Sequence, residues 1–296
     1  MGLFRFFLAI WYILVGFVKF LTPRFLRKRK DVSGEIVLIT GGGMGMGRLY
    51  AIEFAKRDAN VVLWDVNTAA NEETSRMIQA FDGRVSAYTV DVTNADEVYK
   101  TAAKVKAEIG DVTILVNNAG VVTGKLLLDC PDHLIRRTMD VNATSHHWIL
   151  KAFLPAMMAN NRGHIVTVAS LCGYFPVKRM VDYCASKFAA VGLHKTLRLE
   201  LLLEGYDGIN MTLVCPAYVS TGMFEGVTAE FLAPEYVVSQ VMDGVLLNDQ
   251  TVFVPRYAPI MMLLDMIVPE ELSLMAQRSS GMAASMDTFT GRNKND

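Results

Sequence analysis

A serine, a tyrosine and a lysine near the middle of the chain could together take a proton from a hydroxyl group. Ser170 ends the apolar segment HIVTVAS, and Tyr183 and Lys187 follow in YCASK. Residues four apart share one face of a helix, which places the lysine beside the tyrosine. A tyrosine, with an ordinary pKa of about 10, is a poor base at neutral pH, but a neighbouring cation stabilises its phenolate. Ser170 could then hydrogen-bond the reacting oxygen, although tyrosine and lysine at this spacing are also common in ordinary helices.

A glycine-rich turn earlier in the chain could hold a phosphate group. The apolar segment EIVLIT runs into GGGMGMG at 41–47, and a helical pattern follows. Glycines let the backbone approach a pyrophosphate, and the amides that begin the next helix point at it. The spacing is TGxxxGxG and not the usual GxGxxG of dinucleotide sites. The turn alone is therefore also consistent with a tight connection between a strand and a helix.

An aspartate ends the next apolar segment, VVLWD, about 20 residues beyond the turn. A carboxylate at this point, Asp65, can accept hydrogen bonds from both ribose hydroxyls of a dinucleotide. Because it would repel a 2′-phosphate, Asp65 favours NAD over NADP, unless Arg48 in the first helix offsets its charge. A solvated or helix-capping carboxylate is the structural alternative.

Two further segment ends could complete a nucleotide-binding cleft. Asp91 ends the third apolar segment, where it could receive an adenine amino group or cap the next helix. Asn117-Asn118-Ala119-Gly120 ends the fourth segment. Small and amide side chains fit the wall of a cleft, and they fit equally a turn that hydrogen-bonds its own backbone.

The elements that must position these residues alternate along the chain. Short apolar segments separated by longer helical patterns predict βαβ units and a parallel sheet covered on both faces. We therefore expect one α/β domain with a Rossmann-like, doubly wound sheet of seven parallel strands. The predicted strands are 35–40, 60–65, 84–91, 112–118, 163–170, 208–215 and 251–255. The predicted helices are 45–58, 70–81, 95–109, 131–158, 181–204 and 234–248.

Composition places these motifs in an acidic body with a basic N-terminus. The chain has 296 residues, is 52% hydrophobic and carries a formal net charge of −1, which excludes global disorder. Seven basic residues and no acid lie in residues 1–30, so the remainder has a net charge of −8 and is a poor nucleic-acid binder. The four cysteines lack CxxC spacing, which argues against a zinc site or a disulfide framework, and we expect no metal.

Two apolar runs near the ends of the chain predict contact with a membrane. The run FFLAIWYILVGFV at 6–18 predicts an anchor helix over 1–22, which could span a bilayer or lie in one leaflet. The basic linker at 23–33 favours a body on the cytoplasmic side and would attract anionic lipid. The run APIMMLLDMIV at 258–268 is too short to span, and predicts an interfacial helix or a substrate lid in a C-terminal segment over 257–296.

The order of the motifs resembles the short-chain dehydrogenase/reductase family over residues 34–256. TGGGMGMG is similar to the family's cofactor turn and NNAG to its sheet-stabilising motif. Ser170, Tyr183 and Lys187 match its catalytic signature in type and spacing. The resemblance implies an NAD-binding catalytic domain in which Lys187 also binds the nicotinamide ribose.

The resemblance assigns further residues to the reaction and to the cofactor. Asn142, in MDVN, matches a catalytic asparagine that holds a water in a proton relay. CPAYVST at 215–221 is similar to the family's PGxxxT segment, which contacts nicotinamide, with Ala217 in place of the glycine. The residues expected to bind cofactor are Gly41, Met44, Gly45, Met46, Gly47, Asp65, Asp91, Val92, Asn118, Ala119, Gly120, Tyr183, Lys187, Pro216, Val219 and Thr221.

Other segments narrow the resemblance to the membrane-anchored retinol and 17β-hydroxysteroid dehydrogenase branch. They are VVLWDVN, NNAGVVTGKLL and DYCASKFAAVG, while LDCPDHLIRRTMDVN and LVCPAYVSTGMF are most similar to the type-10 retinol dehydrogenases. The branch implies NAD-dependent oxidation of a lipophilic alcohol, with all-trans-retinol as the first candidate. A 17β-hydroxysteroid or another lipid alcohol is the alternative substrate. A membrane or lipid-droplet scaffold that retained the fold is the alternative of another class.

The branch also implies a location and a partner. We expect the endoplasmic reticulum membrane, the lipid droplet or both, with the catalytic domain facing the cytoplasm. A homodimer would pair through the helices at 131–158 and 181–204. Apolar residues near the catalytic motifs could line a lipophilic pocket, although each could equally be ordinary core. The candidate substrate residues are Leu171, Cys172, Phe175, Met180, Met223 and Phe224.

Overall fold

A computed structural model describes residues 6–8, 10, 11, 14, 22 and 26–291 of the protein. Most of the predicted anchor at 1–22 therefore lies outside the described residues. Among the residues that are described, no helix combines the length and the apolar character needed to cross a membrane.

Seven parallel strands form one sheet in the order β3-β2-β1-β4-β5-β6-β7, as the sequence predicts. Each strand ends within two residues of its predicted bounds. The strands are β1 Ile36–Thr40, β2 Asn60–Asp65, β3 Val85–Thr89, β4 Ile114–Asn117, β5 Gly163–Val168, β6 Ile209–Pro216 and β7 Thr251–Val254. The helices are α1 Gly45–Ala55, α2 Thr68–Gln79, α3 Ala95–Glu108, α4 Asp132–Met139, α5 Ser145–Ala159, α6 Val181–Leu203, α7 Pro234–Leu246, α8 Ala258–Ile267 and α9 Glu270–Ser279.

Alternate residues of each strand enter two different apolar layers. In β1, Val37 and Ile39 pack with Phe54 of α1 on one face, whereas Leu38 packs with Phe153 of α5 on the other. Side chains alternate between the faces of a strand, so a strand covered on both sides must be apolar throughout. This requirement explains why the central strands are rich in Val, Ile and Leu, whereas the edge strand β3, VSAYT, has no buried residue.

The strand order reverses direction at β1, which lies between β2 and β4. Loops that leave the carboxyl ends of neighbouring strands diverge at such a point and leave a crevice, where ligands bind in open α/β sheets. The glycine-rich turn follows β1, the NNAG motif ends β4, and Ser170 follows β5. The topology thus brings the predicted motifs to one edge of the sheet.

The helical segment predicted over 131–158 runs without a break from Asp132 to Ala159. A π-helical turn, Asp140–Thr144, lies between α4 and α5 and contains Asn142. Hydrophobic spacing does not reveal this one wider turn. Such turns are frequent at functional sites.

The described part of the basic linker is docked on the acidic body. Arg27 forms an ion pair with Asp249 at 2.7 Å, and Arg29 forms one with Asp243 at 2.7 Å. The backbone N–H of Lys30 donates to Leu246 O at 2.8 Å. These two arginine charges, which the sequence predicted would attract anionic lipid, therefore have acidic partners within the protein.

Two exposed helices follow the sheet and lead the chain back to its carboxyl edge. Helix α8 carries the apolar run at 258–268, and most of its large side chains are exposed. After α9, residues 285–291 return and pack beside the catalytic motifs. We call residues 285–291 the C-terminal strap.

Candidate active site

The glycine-rich turn is too tight for side chains at several positions. A Cβ atom on Gly47 would lie 1.9 Å from Gly41 O, which no real contact allows. Gly41 and Gly45 have φ angles of +66° and +55°, in the left-handed region that glycine favours. The turn therefore exposes backbone at the start of α1, as a phosphate-binding turn must.

The NNAG motif holds this turn in place. Thr40 Oγ1 accepts hydrogen bonds from the backbone N–H groups of Asn118 and Ala119, at 3.0 and 3.1 Å. The Asn118 side-chain amide donates to Thr40 O and Gly41 O, at 2.9 and 3.2 Å. Since every partner lies on β1 or the turn, the motif fixes the two loops to each other. Its Gly120 faces Lys187, whose Nζ would lie 3.7 Å from an added Cβ.

Asp65 lies at the end of β2 directly beside the turn. Its Oδ2 accepts a hydrogen bond from Gly43 N, and its Oδ1 accepts one from Asn67 N, both at 2.9 Å. Arg48 is turned away toward α2, where its Nη2 contacts Glu73 Oε2 at 2.6 Å and Gly43 O at 2.7 Å. The carboxylate is thus oriented by backbone amides, and the arginine has its own acidic partner.

Asp91 bonds to its own loop and does not cap the next helix, which was the structural alternative for it. Its Oδ1 accepts hydrogen bonds from Thr93 N and Thr93 Oγ1, at 2.9 and 2.7 Å. The cap of α3 is Asn94, whose side chain accepts from Glu97 N. The neighbouring Val92 is buried, and its carbonyl accepts from Trp148 Nε1 at 3.0 Å.

Ser170 and Tyr183 meet at the carboxyl end of β5, as predicted. The Ser170 hydroxyl accepts from Cys172 N at 3.1 Å and donates to Pro216 O at 3.4 Å, and it lies close enough to the Tyr183 phenol to lower the pKa of that group. The ring of Phe224 stands edge-on to Tyr183 at 5.9 Å between centroids. Only 4% of Tyr183 is exposed, so its side chain is largely screened from water.

Burial affects the two ionisable groups of the signature in opposite directions. It raises the pKa of Tyr183, and the hydrogen bond from Ser170 offsets this only in part. It lowers the pKa of Lys187 to about 8, because desolvation disfavours the ammonium. Lys187 Nζ lies 5.6 Å from the Tyr183 ring centroid and donates to Val168 O at 3.0 Å. In the protein alone, burial thus raises the pKa of Tyr183, whereas the sequence predicted that the lysine would lower it.

Asn142 connects the π-helical turn to the loop after the NNAG motif and to the YCASK segment. Its Oδ1 accepts from Val121 N at 2.8 Å, and its Nδ2 donates to Val121 O at 2.9 Å and to Ser186 Oγ at 3.0 Å. Ser186 Oγ in turn donates to Tyr183 O at 2.7 Å. The side chain therefore fixes the loop after NNAG to the helix that carries the tyrosine. Sequence reasoning missed Ser186, which YCASK contains without any distinguishing signal.

The segment after β6 closes the other side of the crevice. Thr221 lies against the glycine-rich turn, since a Cβ on Gly45 would be 3.2 Å from Thr221 Cβ. Val219 is buried and bridges to Leu232. A cavity of about 290 Å³ beside the turn is lined in part by Met44, Arg48 and Thr221. The glycine-rich turn and the segment after β6 thus border one space, and the tight glycine backbone fits a pyrophosphate.

Four of the six candidate substrate residues join one apolar cluster with Tyr183. Cys172, Met180 and Phe224 are buried in it, and Met223 packs against it. Leu171 is partly buried and packs against a separate apolar cluster. The half-buried Phe175 accepts a hydrogen bond from Cys184 Sγ through its carbonyl, at 3.8 Å. Residues that the sequence analysis missed are Val122, Val177, Tyr218, Val227, Phe231, Met286 and Phe289.

The chain belongs to the short-chain dehydrogenase family. The family model "short chain dehydrogenase" matches residues 35–231, which contain all the motifs described above. The chain is accordingly an oxidoreductase that uses NAD or NADP.

Among curated proteins, the chain is similar to the retinol and steroid dehydrogenases that the motifs indicated. It is 45% identical to epidermal retinol dehydrogenase 2 of Mus musculus, over 90% of this chain and 89% of that protein. It is 42% identical to retinol dehydrogenase 10-B of Danio rerio, over 97% of this chain and 93% of that protein. It is 46% identical to estradiol 17-beta-dehydrogenase 11 of Pongo abelii, over 90% and 88%.

Solved structures with the same fold contain both forms of the cofactor. A short-chain dehydrogenase/reductase from Burkholderia phymatum in complex with NAD matches with a TM-score of 0.75 and 25% identity, over 83% of this chain and 96% of that one. A metagenomic short-chain oxidoreductase in complex with NADP matches with a TM-score of 0.66 and 27% identity, over 76% and 98%. These likenesses identify a nicotinamide dinucleotide as the cofactor class.

Proposed function

We propose that the protein oxidises a lipophilic alcohol with NAD, and that all-trans-retinol is the substrate. The observation that carries this proposal is the position of Ser170, Tyr183 and Lys187 together, beside the glycine-rich turn and beneath an apolar cluster. The polar groups fit the oxidation of a hydroxyl, and the apolar cluster fits a substrate with little polar surface.

Each catalytic side chain has a defined task. Ser170 hydrogen-bonds the alcohol oxygen, and Tyr183 accepts the hydroxyl proton as a phenolate. Lys187, still mostly protonated at neutral pH, supplies positive charge beside the phenol. Asn142 fixes the surrounding loops and supports the proton relay. When bound, NAD supplies the acceptor for hydride from the carbinol carbon and a positive charge that favours the phenolate.

Asp65 and the position of Arg48 support NAD over NADP. The Asp65 carboxylate is held by two backbone amides at the point where a ribose would lie. Arg48 contacts Glu73 and Gly43 O, so its charge is already paired with a carboxylate. A 2′-phosphate would therefore meet a fixed negative charge, whereas ribose hydroxyls can donate to the same oxygens.

A 17β-hydroxysteroid is the second candidate substrate. The similarity to estradiol 17-beta-dehydrogenase 11 favours it, and an apolar pocket suits both substrates. Purified protein in detergent should be given NAD with all-trans-retinol or with estradiol, and each product quantified by chromatography. Faster turnover of retinol supports the first proposal. Faster turnover of estradiol replaces it with the second.

The location and assembly proposals follow the same relatives. We propose that the protein resides on the endoplasmic reticulum membrane, on lipid droplets or on both, with the catalytic domain facing the cytoplasm. The apolar run at 6–18 and the exposed apolar helix α8 support contact with lipid. We also propose a homodimer, which the exposed Phe188 and Leu199 of α6 support.

A membrane scaffold without catalysis is the alternative of another class. The complete set of Asn142, Ser170, Tyr183 and Lys187 argues against it, because a scaffold does not require these side chains. Cells expressing Tyr183→Phe separate the two functions. Loss of retinol oxidation together with every cellular effect supports the enzyme, whereas retention of the cellular effects supports the scaffold.

A further inference from the structure

The C-terminal strap is attached to the loop that follows the nicotinamide segment. Thr228 N donates to Ser285 O at 2.9 Å, and Thr290 N donates to Glu225 O at 2.9 Å. Thr288 Oγ1 donates to Gly226 O at 2.5 Å. The strap therefore runs beside residues 225–228 and is held by backbone groups along its length.

A charged contact attaches the strap to the opposite side of the site. The Asp287 carboxylate accepts from Lys178 Nζ at 2.9 Å and lies 4.0 Å from Arg179 Nη1. Arg179 Nε also donates to Gly124 O at 3.2 Å. Lys178 and Arg179 lie just before α6, which carries Tyr183. The strap thus joins the loops that flank the catalytic tyrosine.

Two side chains of the strap enter the apolar cluster around Tyr183. Met286 is 1% exposed and belongs to the same cluster as Tyr183 and Phe224. Phe289 packs against this cluster and lies so close to Gly124 that an added Cβ would be 2.1 Å from its ring. The strap is therefore part of the wall that screens Tyr183 from water.

We propose that the strap is the movable wall of the alcohol pocket, and that Met286 determines which alcohols fit against Tyr183. This inference rests on the proposed alcohol oxidation. Tyr183 is only 4% exposed with the strap in place, and movement of the strap would open the apolar cluster beside it. The contacts of Asp287 with Lys178 and Arg179 hold the strap against the loop before α6, and we call them the latch. These contacts are partly exposed, so breaking these ion pairs alone costs little.

The substrate specificity of Met286→Ala tests whether the Met286 side chain limits the size of the alcohol pocket. Removing the side chain makes room beside Tyr183, which benefits a bulky secondary alcohol more than a slender primary one. We expect the ratio of kcat/KM for estradiol to that for all-trans-retinol to rise about tenfold. Met282→Ala is the matched control, since Met282 lies three residues before the strap and is 50% exposed. Equal ratios in the two variants would overturn the assignment of Met286.

The rate at which buried thiols are labelled tests whether Asp287 holds the strap closed, and this measurement does not require substrate. Cys172 and Cys184 lie in the cluster that the strap covers, whereas Cys215 is buried in the core. In Asp287→Asn, N-ethylmaleimide should modify Cys172 and Cys184 about two- to fivefold faster than in the unmodified protein. Peptide mass spectrometry resolves the sites, and the rate at Cys215 should stay unchanged.

Asp111→Asn is the control for the latch. Asp111 forms a similarly exposed ion pair with Lys106 at 3.0 Å, far along the chain from the strap. The proposed role of Asp287 would be wrong if Cys172 and Cys184 were labelled at equal rates in Asp287→Asn and Asp111→Asn. It would also be wrong if Asp287→Asn accelerated labelling of Cys215 as much as labelling of Cys172 and Cys184.

The two assays distinguish failure of the strap from failure of the proposed function. If the unmodified protein oxidises neither alcohol, the proposed function fails, and with it the specificity role of Met286. The labelling rates still decide whether Asp287 holds the strap closed. If alcohol is oxidised and both strap variants match their controls, the strap proposal alone is wrong.

Discussion

Replacing Lys187 by methionine tests whether the buried Lys187 ammonium lowers the free energy of unfolding. The side chain is 3% exposed, and burial lowers its pKa from 10.5 to about 8. That difference corresponds to about 3 kcal/mol of unfavourable free energy for the ammonium in the folded state. Methionine also loses the hydrogen bond to Val168 O, worth about 1 kcal/mol. We therefore expect Lys187→Met to gain about 2 kcal/mol in free energy of unfolding at pH 7 while losing activity.

The gain should depend on pH in a defined direction. Between about pH 8 and pH 10.5 the unfolded chain binds more protons at Lys187 than the folded chain, so wild-type stability should rise with pH. The advantage of the variant is full below about pH 8 and is lost by about pH 10.5.

Thermal unfolding of cofactor-free protein from pH 7 to pH 10 measures this advantage. About 2 kcal/mol should raise the Tm by about 4–8 °C at pH 7. Lys151→Met, at an exposed position on α5, should change neither the Tm nor its pH dependence. A variant at Lys187 that is less stable than wild type at pH 7, or whose advantage persists unchanged at pH 10, would refute the reasoning.

Two further variants test the cofactor site. Asp65→Ala removes the fixed charge at the ribose position, so the kcat/KM ratio for NAD over NADP should fall about tenfold or more in cofactor titrations; an unchanged ratio would mean that another group selects the cofactor. Gly47→Ala would place a Cβ 1.9 Å from Gly41 O. Calorimetric titration should therefore detect no NAD binding by a variant that keeps its circular dichroism, and full affinity would contradict the geometry of the turn.

The sheet and the motifs could be predicted because their signals are local. Strands covered on both faces must be apolar throughout, so the central strands appeared in the sequence as short runs rich in Val, Ile and Leu. Parallel strands linked by helices then bring their carboxyl ends to one edge. Asp65, Asn118 and Ser170 were assigned to that edge from their positions in the sequence alone.

The missed features depend on contacts between distant parts of the chain. Met286 reaches Tyr183 from a segment about 100 residues later, and no periodicity marks it. Arg27 and Arg29 looked like free charges until the fold placed acidic partners beside them. The pKa of Tyr183 likewise depends on how deeply the fold buries it, which the spacing to Lys187 does not reveal.

The most direct test is retinol oxidation by unmodified protein and by Tyr183→Phe. Detergent-solubilised protein should be incubated with NAD and all-trans-retinol, and retinaldehyde quantified by chromatography, with NAD binding measured on the same samples. The account predicts retinaldehyde from the unmodified protein and none from the variant, while both bind NAD. Retinaldehyde formed at the same rate by Tyr183→Phe, or none formed by NAD-bound unmodified protein, would contradict it.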